Sequence, residues 1–283
     1  MTTPIALPTQ ESTSPTAVTS PVRRVRWWGS GSAWRDGLLA WPVPLLLFAS
    51  WWVAAEHGWV PPQVLPPPEA VWTALLDSIA SGDLQSNLLI SLQRVLGGFA
   101  VGLAGGLLLG VAMGLSPTVN DYVFPLFKAF SQVPVLGWLP LLMLLVGIDE
   151  ALKILLISKA ALVPVTLNTV QGIRSVPTRL IEVGRVLGFT RWQMLSRVVF
   201  PAAVAPIWNG IRYGLTHAWL ALVVVELLAS SEGLGFMIVY GRQLFQLDVV
   251  MAAVVIVGVA GYLLDKVLAA IETRLLRWRK EAF

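Results

Sequence analysis

Three ionisable side chains, Lys159, His217 and Glu226, lie inside long apolar runs. Charged groups in such runs are costly and face a pathway or a partner more often than lipid. Lys159 offers a cation that could attract a small oxyanion; the competing role is a pair with a carboxylate such as Glu226, or snorkelling to an interface. His217 suits either a gate or a hydrogen bond to a neighbouring helix. Glu226 would repel an anion, and Asn168 fits a bond between helices. Further chemistry is limited by what is missing. The sequence holds no cysteine, hence no disulfide, thiolate metal site or thiol catalysis. It contains no His-Glu-x-x-His, no Gly-x-Ser-x-Gly and no paired intramembrane aspartates, and its two histidines, His57 and His217, are far apart. An intramembrane enzyme is therefore not expected. No Gly-x-x-x-x-Gly-Lys-Ser/Thr occurs, so any use of ATP must come through a partner, and no cofactor or metal is expected on this chain.

Composition says what must position these groups. The chain is 56% hydrophobic and 13% charged, with a mean hydropathy of +0.72. Soluble domains carry about twice that share of charge. Apolar stretches long enough for the roughly 30 Å hydrocarbon layer recur, so a polytopic, all-α membrane protein is expected. The net charge of +4 is concentrated in a few segments. That pattern reports topology and contact with membrane lipid rather than nucleic-acid binding.

Residues 1–35 open with a Thr/Ser/Pro-rich stretch and end in a basic one, and are expected to form a disordered cytoplasmic tail. A first span follows at 36–56. Residues 57–89 hold no Lys or Arg, and the positive-inside rule makes them an outside, periplasmic connector. The core would occupy 90–272. Its spans are expected at about 92–115, 135–148, 152–169, 205–229 and 249–271. The second span is rich in glycine, including Gly97, Gly98, Gly105 and Gly106, which lets helix backbones approach closely. The third follows Pro134, contains Pro140 and should be short and bent. Arg94, at the outer end of the second span, is expected to snorkel. Five arginines against one acid place the loop 174–197 inside. The basic tail 273–283 is inside as well, giving six spans with both termini cytoplasmic. A self-sufficient secondary transporter would want an inverted repeat, and none is found.

The inside loop has its own local logic. Leu180, Val183, Val186 and Leu187 form one helical stripe. Gly188 is suited to a left-handed helix end. Thr190 and Gln193 form a capping-box pair for a second short helix, which Pro201 should stop. Two short helices bent at Gly188 would make a knob. Its two uses are docking into a partner's groove or lying on lipid headgroups.

The spacing Glu182-Val183-Gly184, three residues, Gly188, nine residues, Val198, two residues, Pro201 resembles the EAA loop of the inner-membrane permease of bacterial ABC importers. Val183 and Gly184 stand where that pattern has two alanines, and Phe200 where it has leucine. Further likeness runs through Ser91-Leu92-Gln93-Arg94, Leu139-Pro140-Leu141, Gly147-Ile148-Asp149-Glu150, Leu167-Asn168-Thr169 and Glu226 to Gly235. These segments are similar to the sulfonate, taurine and nitrate importer permeases, most of all the aliphatic sulfonate permease. The resemblance covers about residues 85–275. It implies a type I permease fold in the bacterial plasma membrane, with a coupling loop at about 175–203 gripped by a separate ATPase subunit. It also implies a second copy of the chain and a periplasmic or lipid-anchored substrate-binding protein. Glu182, Val183, Gly184, Gly188, Val198 and Pro201 are the implied coupling residues. The candidate pathway residues are Lys159, His217 and Glu226, the last with a structural or gating role.

Overall fold

The computed structural model describes residues 41–277. The expected tail 1–35, the beginning of the first span and the basic residues 278–283 lie outside the described residues. Residues 41–50, the described part of the N-terminal unit, begin helix α1 (Pro42–Glu56), which is apolar and 15 residues long. At 1.5 Å per residue that is about 22 Å, less than the hydrocarbon thickness.

The larger unit, from Trp51 onward, is helical throughout, with no strand among the described residues. In order it contains α2 (Pro68–Ala80), α3 (Asp83–Leu115), α4 (Pro117–Gln132), a 3-10 turn (Val135–Trp138), α5 (Leu139–Val146), α6 (Glu150–Arg174) and α7 (Thr178–Val186). Then come α8 (Arg191–Met194), a π turn (Leu195–Val199), α9 (Phe200–Ala229), α10 (Leu234–Gln243) and α11 (Leu247–Leu275).

The centre of this unit is a trio, α3, α6 and α9. Lipid is as apolar as leucine, so helices here associate by close packing rather than by escape from water. A stripe of glycines four residues apart supplies the closeness. Gly98, Gly102, Gly106, Gly110 and Gly114 of α3 lie on Ile157, Ala161, Val165, Thr169 and Ile173 of α6. A Cβ at Gly102 would stand 2.4 Å from the Ser158 backbone oxygen, and one at Gly110 would stand 2.5 Å from Thr169 Cβ. Both residue series rise together, so α3 and α6 run parallel. Across α6, Gly210 and Gly214 of α9 meet Asn168 and Val165, which makes α9 antiparallel. α6 is the buried member, with Leu152, Leu156, Ile157, Ala161 and Val165 fully enclosed.

The parallel pair dictates what lies between. α3 ends beside Ile173, at the far end of α6, while α6 begins beside Arg94, near the start of α3. Residues 116–149 must therefore travel the whole length back. They do so as α4 followed by the 3-10 turn and α5, bent by 92°. Phe127 of α4 packs with Met113 and Val170, and α5 packs with Leu152 and Leu156. This return makes the bent pair one broken crossing rather than a re-entrant loop. The sequence places the third span at about 135–148. The structure corrects this: the crossing starts earlier, in α4, whose polar residues Asn120, Asp121 and Lys128 disguise it, and Val133-Pro134 divide it. Three further stretches, Asp83–Leu115, Arg191–Gln243 and Leu247–Leu275, are long and apolar enough to cross. These three and the broken pair account for four of the expected six spans; α6, and α1 as far as it is described, do not meet the same measure of length and apolarity.

Candidate functional site

A cleft of about 560 Å³ opens between α6, α9 and the break that follows α4. It brings together Lys159, Asn168, His217 and Ser131 in a wall otherwise made of Val, Leu, Pro and Ala. Lys159 is buried, and its ammonium donates to the Val133 carbonyl at 2.5 Å. It also lies 5.1 Å from the Phe130 ring centre and 5.6 Å from that of Trp138. The break in the third crossing supplies these partners, because Val133 sits between helices and has a carbonyl to offer. No carboxylate forms an ion pair with Lys159 among the described residues. The alternative in which Lys159 pairs with Glu226 is thus excluded. His217 is exposed to the cleft, and its Nδ1 donates to the Tyr213 carbonyl at 2.8 Å, within its own helix. Asn168 likewise bonds within its helix, Nδ2 donating to the Pro164 carbonyl at 2.9 Å, rather than between helices as the sequence suggests.

Glu226 does not line the cleft. It is 1% exposed and receives hydrogen bonds from Arg94 at 2.9 Å, from Ser91 Oγ at 2.9 Å and from the Gly235 amide at 3.0 Å. Arg94 does not snorkel. It is 5% exposed and also holds Glu150 in a two-bond fork at 2.6 and 2.8 Å, with the Glu232 carbonyl at 2.7 Å. The Leu234 amide donates to Ser91 and the Gly233 amide to Asn87. Gly233 has φ of +108°, and a Cβ there would fall 2.3 Å from the Glu226 carboxylate. The cluster ties α3, the start of α6, the end of α9 and the 230–235 turn into one block. The sequence signal for it existed in the charges within apolar runs, but the partner of each could not be assigned from spacing alone.

Glu150 sits at the outer rim of this cluster, and the Arg94 hydrogen bond, reinforced by Lys153, holds its carboxyl down at about 2 against an ordinary 4.5. A depressed carboxylate contributes stability above its unfolded value, and that contribution is lost as pH falls through the folded one. Thermal unfolding in nanodiscs should therefore show an acid-sensitive loss between about pH 4.5 and 2. Glu150→Gln should flatten that limb. The effect will be small, since Glu150 is 57% exposed and water screens it. An unchanged acid limb in the variant would assign the loss elsewhere.

The knob between α6 and α9 forms as its residues dictate. α7 ends in a Schellman motif: Gly188 has φ of +70°, the Phe189 amide donates to the Gly184 carbonyl, and the Gly188 amide donates to Arg185. The Thr190–Gln193 capping box is complete, at 3.3 and 2.9 Å. Gly184 is buried because Met194 covers it; a Cβ would meet Met194 Cε at 2.7 Å. Val183, Gly184, Val198 and Pro201 share an apolar cleft of about 350 Å³ with Leu180, Leu187 and Phe189. Glu182 and Gly188 are exposed, beside Val186 at 87% and Trp192 at 74% exposure. One expectation is corrected. Pro201 does not stop the helix. The π turn Leu195–Val199 precedes it, and α9 continues as far as Ala229. A widened turn relieves the clash of a proline ring with the carbonyl four residues earlier.

Comparison with known proteins places this geometry. The model of the family described as binding-protein-dependent transport system inner membrane component matches residues 102–277. The chain is 42% identical over 246 residues to the putative aliphatic sulfonates transport permease protein SsuC of Bacillus subtilis (strain 168), covering 87% of this chain and 88% of that one. It is 34% identical over 264 residues to the taurine transport system permease protein TauC of Escherichia coli (strain K12), covering 92% and 95%. It is 33% identical over 187 residues to the nitrate import permease protein NrtB of Synechocystis sp., covering 66% and 68%.

Proposed function

This chain belongs to the family of binding-protein-dependent transport system inner membrane components, and on that premise we propose that it is the permease subunit of an ATP-driven importer of aliphatic sulfonates. The observation that carries the substrate is the 42% identity to a putative sulfonate permease over nearly the whole of both chains. Two copies of the chain form the pathway, a separate ATPase subunit supplies the energy, and a binding protein outside delivers the substrate. The chain has no ATP site of its own and acts as a transport subunit. Six spans with both termini in the cytoplasm satisfy the charge bias of the loops.

The coupling loop at about 175–203 is the docking element for the ATPase. Its exposed apolar stripe and rigid double-capped bend support that role, because a lever must present a surface and resist bending. Glu182 and Gly188 act at the contact, while Val183, Gly184, Val198 and Pro201 shape the knob behind it. Lys159 and His217 line the pathway. Glu226 serves as a structural tie on the outer side.

The decisive experiment is uptake of labelled alkanesulfonate, taurine and nitrate in cells lacking this chain, with and without its restoration. Sulfonate uptake should be lost and rescued. Rescue of taurine or nitrate uptake alone would overturn the substrate and keep the importer. The relatives named for those substrates share 34% and 33% identity, so they are the ranked alternatives. For the loop, Glu182→Lys should leave the protein in the membrane and reduce co-purification of the ATPase on the order of ten-fold, as expected when a charge is reversed at a contact. Undiminished co-purification would remove Glu182 from the interface.

A further inference from the structure

We propose that the cleft between α6, α9 and the break after α4 is a substrate subsite in which Lys159 takes an oxyanion head while the apolar wall takes an alkyl tail. The inference rests on the importer reading above and adds a binding step inside the permease itself.

The head position follows from charge. Lys159 is buried, forms no ion pair among the described residues, and spends one of its three N–H donors on the Val133 carbonyl. The Phe130 and Trp138 rings stand where a counterion would, each within 6 Å of the ammonium. They stabilise the charge without consuming a donor. Two N–H groups remain for a ligand, and their position is fixed, because the carbonyl and both rings hold the ammonium in place. Among the described residues, no Asp or Glu lines the cleft. His217, the other titratable side chain in its wall, has its Nδ1 engaged by the Tyr213 carbonyl of its own helix. Among the described residues, Lys159 is the one Lys or Arg in this wall.

The tail position follows from packing. Gly214 meets the Ala161 carbonyl and Gly210 meets Asn168 across the antiparallel helices. Lys159 and His217 therefore stand at one level, and Asn168 lies nine residues further along α6, about 13 Å away. Between them the wall is Val163, Pro164 and Leu167, while Leu220, Ala221 and Val224 line the cleft on the other side of the Lys159 level. A charged head at Lys159 lays an alkyl chain along Val163, Pro164 and Leu167. A bare inorganic anion leaves the apolar part unfilled.

The test uses the assembled permease–ATPase complex in nanodiscs and equilibrium binding of labelled methanesulfonate and butanesulfonate. Each buried methylene adds about four-fold in affinity, so butanesulfonate should bind some tens of times more tightly. Lys159→Met should weaken both ligands on the order of ten- to a hundred-fold, the range of a charge-assisted hydrogen bond. Lys159→Arg should retain most of the binding. Val163→Thr, nearly unchanged in shape, should reduce the gain from chain length and leave methanesulfonate unaffected. Wild-type binding by Lys159→Met, or equal affinity for the two sulfonates, overturns the proposal. A complex that fails to assemble with an ATPase counts against the importer reading. One that assembles and hydrolyses ATP, yet binds sulfonate without regard to Lys159, overturns the subsite alone.

Discussion

Glu226→Leu should lower the stability of the folded chain by about 3–5 kcal/mol, the cost of breaking a buried ion pair from one side. The variant leaves Arg94, 5% exposed, with the Glu150 fork but without the carboxylate that also anchors Ser91 and the Gly235 amide. Thermal unfolding in nanodiscs would measure the loss. Glu226→Gln keeps the shape and part of the hydrogen bonding, and should be milder. The sharper check is the double variant Arg94→Met with Glu226→Leu. Removing both partners leaves neither facing the gap left by the other, so the double should be less destabilised than the sum of the singles. Simple additivity would show that the two residues do not act as a pair. The same experiment separates the structural role from the pathway, because Glu226 lies away from the cleft that Lys159 and His217 line.

Gly102→Ala and Gly97→Ala should act in opposite directions, although both replace a glycine in the same helix. At Gly102 a methyl group would sit 2.4 Å from the Ser158 carbonyl oxygen and 2.8 Å from Ala161 Cβ. Neither neighbour is the free end of a flexible chain, so α3 and α6 must part. The expected cost is at the upper end of the about 1–3 kcal/mol typical of overpacking. At Gly97 nothing lies within 4 Å of the added carbon, and the substitution should stabilise by up to about 1 kcal/mol through helix propensity. Unfolding temperatures of the two variants, measured side by side, decide the matter. A destabilised Gly97→Ala or a neutral Gly102→Ala would mean that the glycine stripe is not the α3–α6 contact.

Much of the knob was readable because its determinants are local. Gly188, Thr190 and Gln193 act on backbone groups within a few residues of themselves, so their spacing specifies the caps that form. The π turn before Pro201 was not readable, because the choice between stopping a helix and widening it depends on the packing of Val199 and Ala203 against Ile173 and Val176. The glycines of α3 show the same division. Their abundance predicted close helix contact, but Gly102 and Gly110, not Gly97, make it. Arg94 was placed at the interface on its position near a helix end. It is instead enclosed by residues 56 to 138 positions away in the chain.

The sequence by itself determined the class of the molecule, the course of most spans, the knob and the family likeness. These rest on composition, on periodicity and on interactions that close over a few residues, all of which are present in the linear order. Only the tertiary structure decided that the third crossing is broken and begins in α4, that Glu226 belongs to Arg94 and not to Lys159, and that Lys159 faces a cleft with no carboxylate among the described residues. Those outcomes depend on which helices run parallel and at what register. A buried charge is satisfied by whatever the packing brings beside it, and sequence distance carries no record of that.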